Sequence, residues 1–361
     1  MLSAVAFIAL MLCLLLYPGA VQSSVASSVT YCLTVLVPSL FPFMALTSYA
    51  VSSRAAVTLG RPLDLVTRYV FKLPGCCAVP VLMSLIGGYP AGAKGASLLL
   101  SEGRITGPQA GRMLLFCVNP GLAFTVTYLG LGVFGSTGIG WRLFLSVTIP
   151  AILMGVLTGL RAPVPQKQEE HGDVPGGSQA LTRSVADASK SVLIMCACIV
   201  LFAGFTAVLH AGGIFQQAVR LLTRLGIFTP QQWAASLSFL LEVTGGTGDA
   251  RALGVGAGFF AFGLAFGGLC VHIQVFSLFR ELPVKLPVFF LCRFIHGLLA
   301  AVCFELLGKI MPGGAVETMA GAYKAALSPG GWMSGASLLL MCAAFLLIAG
   351  GRAGRGCQNG D

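Results

Sequence analysis

The chain has 361 residues, 56% of them hydrophobic and only 9% charged, with a mean hydropathy of +0.89. Soluble domains carry about 25% charged residues, so this composition excludes one and points to an all-α polytopic membrane protein whose main partner is the lipid bilayer. The net charge of +10 does not make a nucleic-acid partner, because the basic residues fall between apolar runs and form no dense patch.

A membrane-spanning helix takes about 20 apolar residues. The first candidate covers residues 2–17; it lacks a basic leading segment, so residues 1–28 read as an N-terminal transmembrane helix rather than a signal peptide. Residues 29–51 follow, kinked by Pro38 and Pro42 in "PSLFPF". A basic amphipathic segment, "GRPLDLVTRYVFKL", leads into an apolar stretch broken at "IGGYPAGAK". Further candidate spans cover 113–134, interrupted at Asn119-Pro120-Gly121, and 143–160.

Residues 162–187 are polar and rich in Pro and Gly, as expected for a cytoplasmic linker between halves. Beyond it the plan repeats, with little residue identity. A span at 189–210 precedes a second basic amphipathic segment and a second broken stretch, "WAASLSFLLEVTGGTGDARALG". Spans at 254–279, thinned by Gly267-Gly268, and at 286–308 complete the second half. The segment 311–361 holds one more span, at 332–349, and a basic tail.

Glycine- or proline-broken segments at matching places in two halves point to a transporter built from repeats. The expected architecture is therefore two inverted repeats, 29–161 and 188–310, with about eight full transmembrane helices. Each repeat carries a re-entrant helical hairpin, at 76–104 and at 230–252. Charge placement fits that plan: with the linker inside, fifteen of the 22 Lys and Arg fall on the cytoplasmic side and six outside, while Arg293 lies within a span.

Non-helical backbone at membrane depth persists only where protein or a wet cavity satisfies it. In the first hairpin, Gly88, Tyr89, Pro90 and Gly92 shape a tip that ends in a helix N-terminus, which attracts anions. Lys94, one turn on, adds a full charge there or snorkels to the interface. In the second hairpin Glu242, Thr244 and Gly245 form a polar tip. An acidic residue at membrane depth marks function: Glu242 could hold a coupling cation, take a proton or bind a solute hydroxyl; the alternatives are an exposed loop or an ion pair with Arg251. Asn119 offers a donor and an acceptor at the first interrupted span. Gly268, His272 and Gln274 occupy the matching place in the second, where His272 could relay protons or simply pack. Arg293, His296 and Glu305 share one span, with Arg293 and His296 three residues apart; an internal salt bridge or interface snorkelling is the first reading and a solute role the second.

Twelve cysteines lie mostly in apolar runs and form no CxxC pair, so no zinc or dithiol site is expected. With no nucleophile–base pair either, an enzyme is not expected, and no cofactor beyond a coupling ion, H+ or Na+, is implied.

Five segments together, "PSLFPF", "GGYPAGAKGASLLLSEGRIT", "FCVNPGLAF", "LEVTGG" and "FGGLCVHIQVF", resemble the sporulation integral membrane protein YlbJ family over roughly residues 30–310. That family is placed with nucleoside-recognition Gate-domain proteins, whose architecture is related to concentrative nucleoside transporters. The resemblance implies a transporter carrying dipicolinic acid, a small anion, across the outer forespore membrane during endospore formation. It implies a location in the bacterial cell membrane, on the mother-cell side, and leaves a homo-oligomer open. By matching position it carries over Gly88, Tyr89, Pro90, Gly92, Lys94, Asn119, Glu242, Thr244, Gly245, Gly268, His272 and Gln274 as solute-binding residues. The rival readings are a nucleoside or nucleobase permease and a non-transporting membrane scaffold in spore assembly.

Overall fold

The computed structural model describes residues 11–12, 14–52, 62–165 and 178–311. Among these every regular element is helical. The candidate span at 332–349, most of that at 2–17 and the middle of the linker lie outside the described residues.

The first half opens with α1 (Pro18–Tyr31), which runs through a π-helical turn (Cys32–Leu36) into α2 (Val37–Ser52). A second π-helical turn, Val66–Val70, belongs to the basic amphipathic segment. The first broken stretch forms α3 (Ala78–Ile86) and α4 (Tyr89–Ser101), followed by α5 (Gly107–Phe116), a π-helical segment Ala123–Val133 and α6 (Thr137–Gly159). The second half repeats that order: α7 (Ser178–Ala211), a short amphipathic α8 (Ile214–Thr223), the paired α9 (Pro230–Leu241) and α10 (Val243–Ala252), the paired α11 (Ala257–Phe266) and α12 (Gly268–Ser277), then α13 (Leu286–Ile310).

Local chemistry sets the starts. At α9, Thr229 and Gln232 exchange the two hydrogen bonds of a capping box, at 3.3 and 3.0 Å, and Pro230 occupies the first helical position, where its missing N–H costs nothing. At α4, Gly88 precedes the helix with φ of +90°, a conformation that glycine alone adopts freely.

Among the described residues, four helices are long and apolar enough to cross a membrane, at 137–159, 178–211, 257–277 and 286–310. A fifth is reached by counting the pair 62–70 and 75–86, which bends by 108°. The interruption expected within 113–134 is complete: the chain leaves the helix at 117–121, where Pro120 has no N–H to donate and Gly121 lets another backbone approach. The linker ends earlier than expected, because α7 already begins at Ser178.

Both broken stretches fold back on themselves. Cβ positions at Gly92 and Gly95 would collide with Ser84 and Pro80, so α4 packs directly on α3. In the second, the Ser238 hydroxyl donates to the Asp249 carboxylate at 2.5 Å, and Gly246 lies on Phe239. Around the hairpins the two halves pair like with like. The helices α1 and α2 lie along α7, and α6 lies along α13, where Arg142 donates to Phe304 O at 2.9 Å and sits on its ring. One continuous core, including Leu114, Leu143, Phe239, Phe260 and Phe289, joins the halves.

Candidate functional site

Each hairpin tip rests on the interruption of the helix pair that follows it. At the first, a Cβ on Gly121 would stand 3.0 Å from both Gly88 N and Ile86 O. At the second, a Cβ on Gly268 would stand 2.8 Å from Phe239 O and 3.4 Å from Glu242 Cα. Gly267 and Gly268 both have positive φ, +95° and +70°, so the sharp turn and the close approach both require glycine. The tips are tied across the halves by Tyr89, whose hydroxyl donates to Leu264 O at 2.8 Å.

Glu242 occupies the N-cap of α10. Its two carboxylate oxygens accept from Thr244 N at 2.7 Å and Gly245 N at 2.6 Å. The buried carboxyl is thus held by backbone donors at a helix start. It is neither in an exposed loop nor paired with Arg251, which lies over the Phe134 ring.

Two cavities meet at Glu242. The inner one, about 40 Å³, lies between the tips and is lined by Gly88, Tyr89, Pro90 and Gly121 from the first half and by Glu242, Val243, Thr244, Val271 and Gln274 from the second, among others. The outer one, about 210 Å³, is rich in hydroxyls: Ser24, Ser27, Ser28, Tyr31, Tyr128, Thr206, Ser238 and Thr244, with Glu242 as its one carboxylate. The tip glycine Gly245 lines it too.

The structure therefore brings together Gly88, Tyr89, Pro90, Glu242, Thr244, Gly245 and Gln274 at the cavities, with Gly268 directly behind Glu242. Four of the expected residues lie elsewhere. Gly92 is packing within the first hairpin, against Ser84 and Cys117. Lys94 donates from Nζ to Asp187 O and Ser191 Oγ, both at 3.0 Å, which moors the hairpin to α7. Asn119 is buried and donates to Phe116 O at 2.7 Å, closing the end of α5. His272 sits in a box of Phe266, Phe276, Phe289 and Phe290, its Nε2 at 2.8 Å from Phe266 O.

Arg293 neither snorkels nor forms a salt bridge among the described residues. It is fully buried and donates to Ala265 O and Phe266 O, capping the C-terminal carbonyls that the break at Gly267 leaves without helical donors. The reason is positional: the broken helix exposes carbonyls at the depth where Arg293 faces it. Sequence reading missed the polar wall of the outer cavity. Ser24, Ser27, Ser28 and Tyr31 lie at spacings of three, one and three, a single helix face, and that stripe in an apolar helix was the available signal.

No family model matches the chain, and no solved structure does. Among curated proteins it is similar to the sporulation integral membrane protein YlbJ of Bacillus subtilis (strain 168), 25% identical over 313 residues, which cover 76% of this chain and 74% of that protein. The apolar helices make the chain an integral membrane protein, and the similarity to this sporulation membrane protein, which covers about three quarters of each chain, supports the family resemblance that the motifs carry.

Proposed function

We propose that the chain is a transporter of a small polar solute acting in sporulation, and not an enzyme. The observation that carries this reading is the meeting of two hairpin tips, each seated on a broken helix pair, around a shared cavity. Irregular backbone of this kind is found at membrane depth where it lines a cavity. The matching element order of the two halves supports an inverted-repeat relation, with the hairpins re-entering from opposite faces. The inner cavity has room for only a few waters, so transport requires the tips to part.

Dipicolinate is the first candidate solute, carried across the outer forespore membrane. Its support is the sporulation role in the relative's name, together with the start of α4. That helix has no side-chain cap, and its first residues line the inner cavity; Pro90 has no N–H and Ala91 N bonds Gly88 O, so the Gly88 and Tyr89 N–H groups are the donors suited to a carboxylate. Lys94 is not needed for this, being engaged with α7. A nucleoside is the second reading, favoured by the hydroxyl-lined outer cavity with Glu242 at its edge. In either case Glu242 is the group suited to couple H+ or Na+.

Uptake of labelled dipicolinate and uridine into proteoliposomes decides between them. Saturable dipicolinate uptake alone establishes the first reading, and uridine uptake alone the second. Uptake of neither, with fully folded protein, favours a membrane scaffold.

A further inference from the structure

The boundary between the two cavities follows one level through every element that touches both. Along α1 and α2, Ser24, Ser27, Ser28 and Tyr31 line the outer cavity, whereas Leu36 and Leu40 line the inner one. Along α7, Ala203 and Thr206 are outer, Ile199 belongs to both and Met195 is inner. Along the π-helical segment 123–133, Tyr128 is outer and Phe124 is inner. On the second hairpin, Glu242 and Thr244 face both.

Aromatic rings fill that level. Tyr31 meets Tyr128 edge-on, with ring centroids 5.3 Å apart, and Tyr128 stacks on Phe124 at the same separation. The buried Tyr31 hydroxyl faces the hydroxyls of Tyr128 and Thr244.

From this we propose that Tyr31 and Tyr128 are the constriction between the cavities, the residues that set what passes between the hydroxyl-lined side and the hairpin tips. The proposal rests on the transport reading for its purpose but not for its test. The backbone supplies a means of opening. Tyr31 immediately precedes the π-helical turn Cys32–Leu36, and Tyr128 lies within the π-helical segment 123–133. π-Helical turns gather at functional sites, and rewinding one of them to α geometry shifts the register by a residue, which turns a side chain by about 100°. Such a turn in 123–133 would carry Tyr128 away from Tyr31.

Cys270 provides a native reporter, since it is buried and lines the inner cavity. Ser27, exposed and on the outer cavity, provides the control as Ser27→Cys. The full chain in proteoliposomes is treated with methanethiosulfonate reagents of increasing size, and labelling of each cysteine is read by peptide mass spectrometry. In Tyr128→Ala and Tyr31→Ala, Cys270 labelling is expected to accelerate by about tenfold or more, as for a gate that opens only a minor fraction of the time. Larger reagents then reach it too. Tyr128→Phe, which keeps the ring, should label as the parent does, and Ser27→Cys should react equally in every background. Equal Cys270 rates in the parent and both alanine variants, with Ser27→Cys reacting normally, overturn the proposal. So does acceleration accompanied by an equal rise at cysteines in the distant core, such as Cys77, because that reports general loosening. No solute enters the measurement, so its outcome is independent of which solute, if any, is carried.

Discussion

Gly88 and Gly121 meet backbone to backbone: a Cβ on Gly121 would stand 3.0 Å from the Gly88 amide nitrogen, and one on Gly88 would stand 3.3 Å from Gly121 N. Neither neighbour is a flexible side chain that can give way. Gly121→Ala is therefore expected to lower stability by about 1–3 kcal/mol, the usual cost of overpacking. Gly268→Ala should cost more, since it adds a positive-φ penalty to a contact of 2.8 Å with Phe239 O. Gly107→Ala, with nothing within 4 Å, should be close to neutral. Thermal unfolding of the three variants in detergent measures the order, and an unaffected Gly121→Ala would falsify the seating of the first tip.

Glu242 carries a second expectation. Glu242→Ala leaves the Thr244 and Gly245 amides without their cap, which should destabilise α10 by about 1–2 kcal/mol. Glu242→Gln keeps one acceptor oxygen and should lose roughly half as much. If Glu242 also serves the solute, both variants abolish uptake, although only the alanine variant is markedly less stable. Stability and uptake falling in proportion across the two would reduce Glu242 to a cap alone.

The two breaks are legible in the sequence because glycine and proline act locally: "GGYPAG" and "EVTGG" dictate tips wherever they fall. So is the interruption at Asn119-Pro120-Gly121, although the periodicity of its flanks hides that the chain leaves the helix completely. What the sequence does not reveal is partnership at a distance. Lys94 reads as a charge near a tip, but one turn of helix carries it round to α7 and Ser191. His272 sits at the place matching Asn119, yet half of its aromatic box, Phe289 and Phe290, comes from α13. The outer cavity needs α1, α7, the π-helical segment and the second hairpin together, and no local pattern announces that meeting.

Lys94 gives a third test, separating mooring from solute binding. Its ammonium makes two hydrogen bonds to α7 at 3.0 Å, and bonds to charged groups contribute about 1.5–3 kcal/mol. Partial exposure to solvent discounts the expected loss for Lys94→Met below that range, to about 1 kcal/mol. The KM for the transported solute should be unchanged. A KM that rises several-fold with stability intact would instead place the ammonium at the solute.

Arg293 supports the last expectation. Its guanidinium is fully buried, with no carboxylate of the described residues in ion-pair range, and it donates to the carbonyls of Ala265 and Phe266 where α11 ends. The His272 ring reaches the same Phe266 carbonyl from the other side of the break, at 2.8 Å. Arg293→Met removes a costly buried charge but strands these carbonyls; a stranded buried acceptor costs about 1–3 kcal/mol. Arg293→Lys keeps the charge but not the planar fork, so it holds one carbonyl at most. Because the broken pair α11–α12 carries Gly268 against Glu242, loosening it should reach the tip. Both variants should speed amide exchange at Thr244 and Gly245, the lysine less than the methionine, while exchange along α6 stays as it was. Uniformly faster exchange in every helix would make Arg293 a contributor to global stability, with no particular hold on the break.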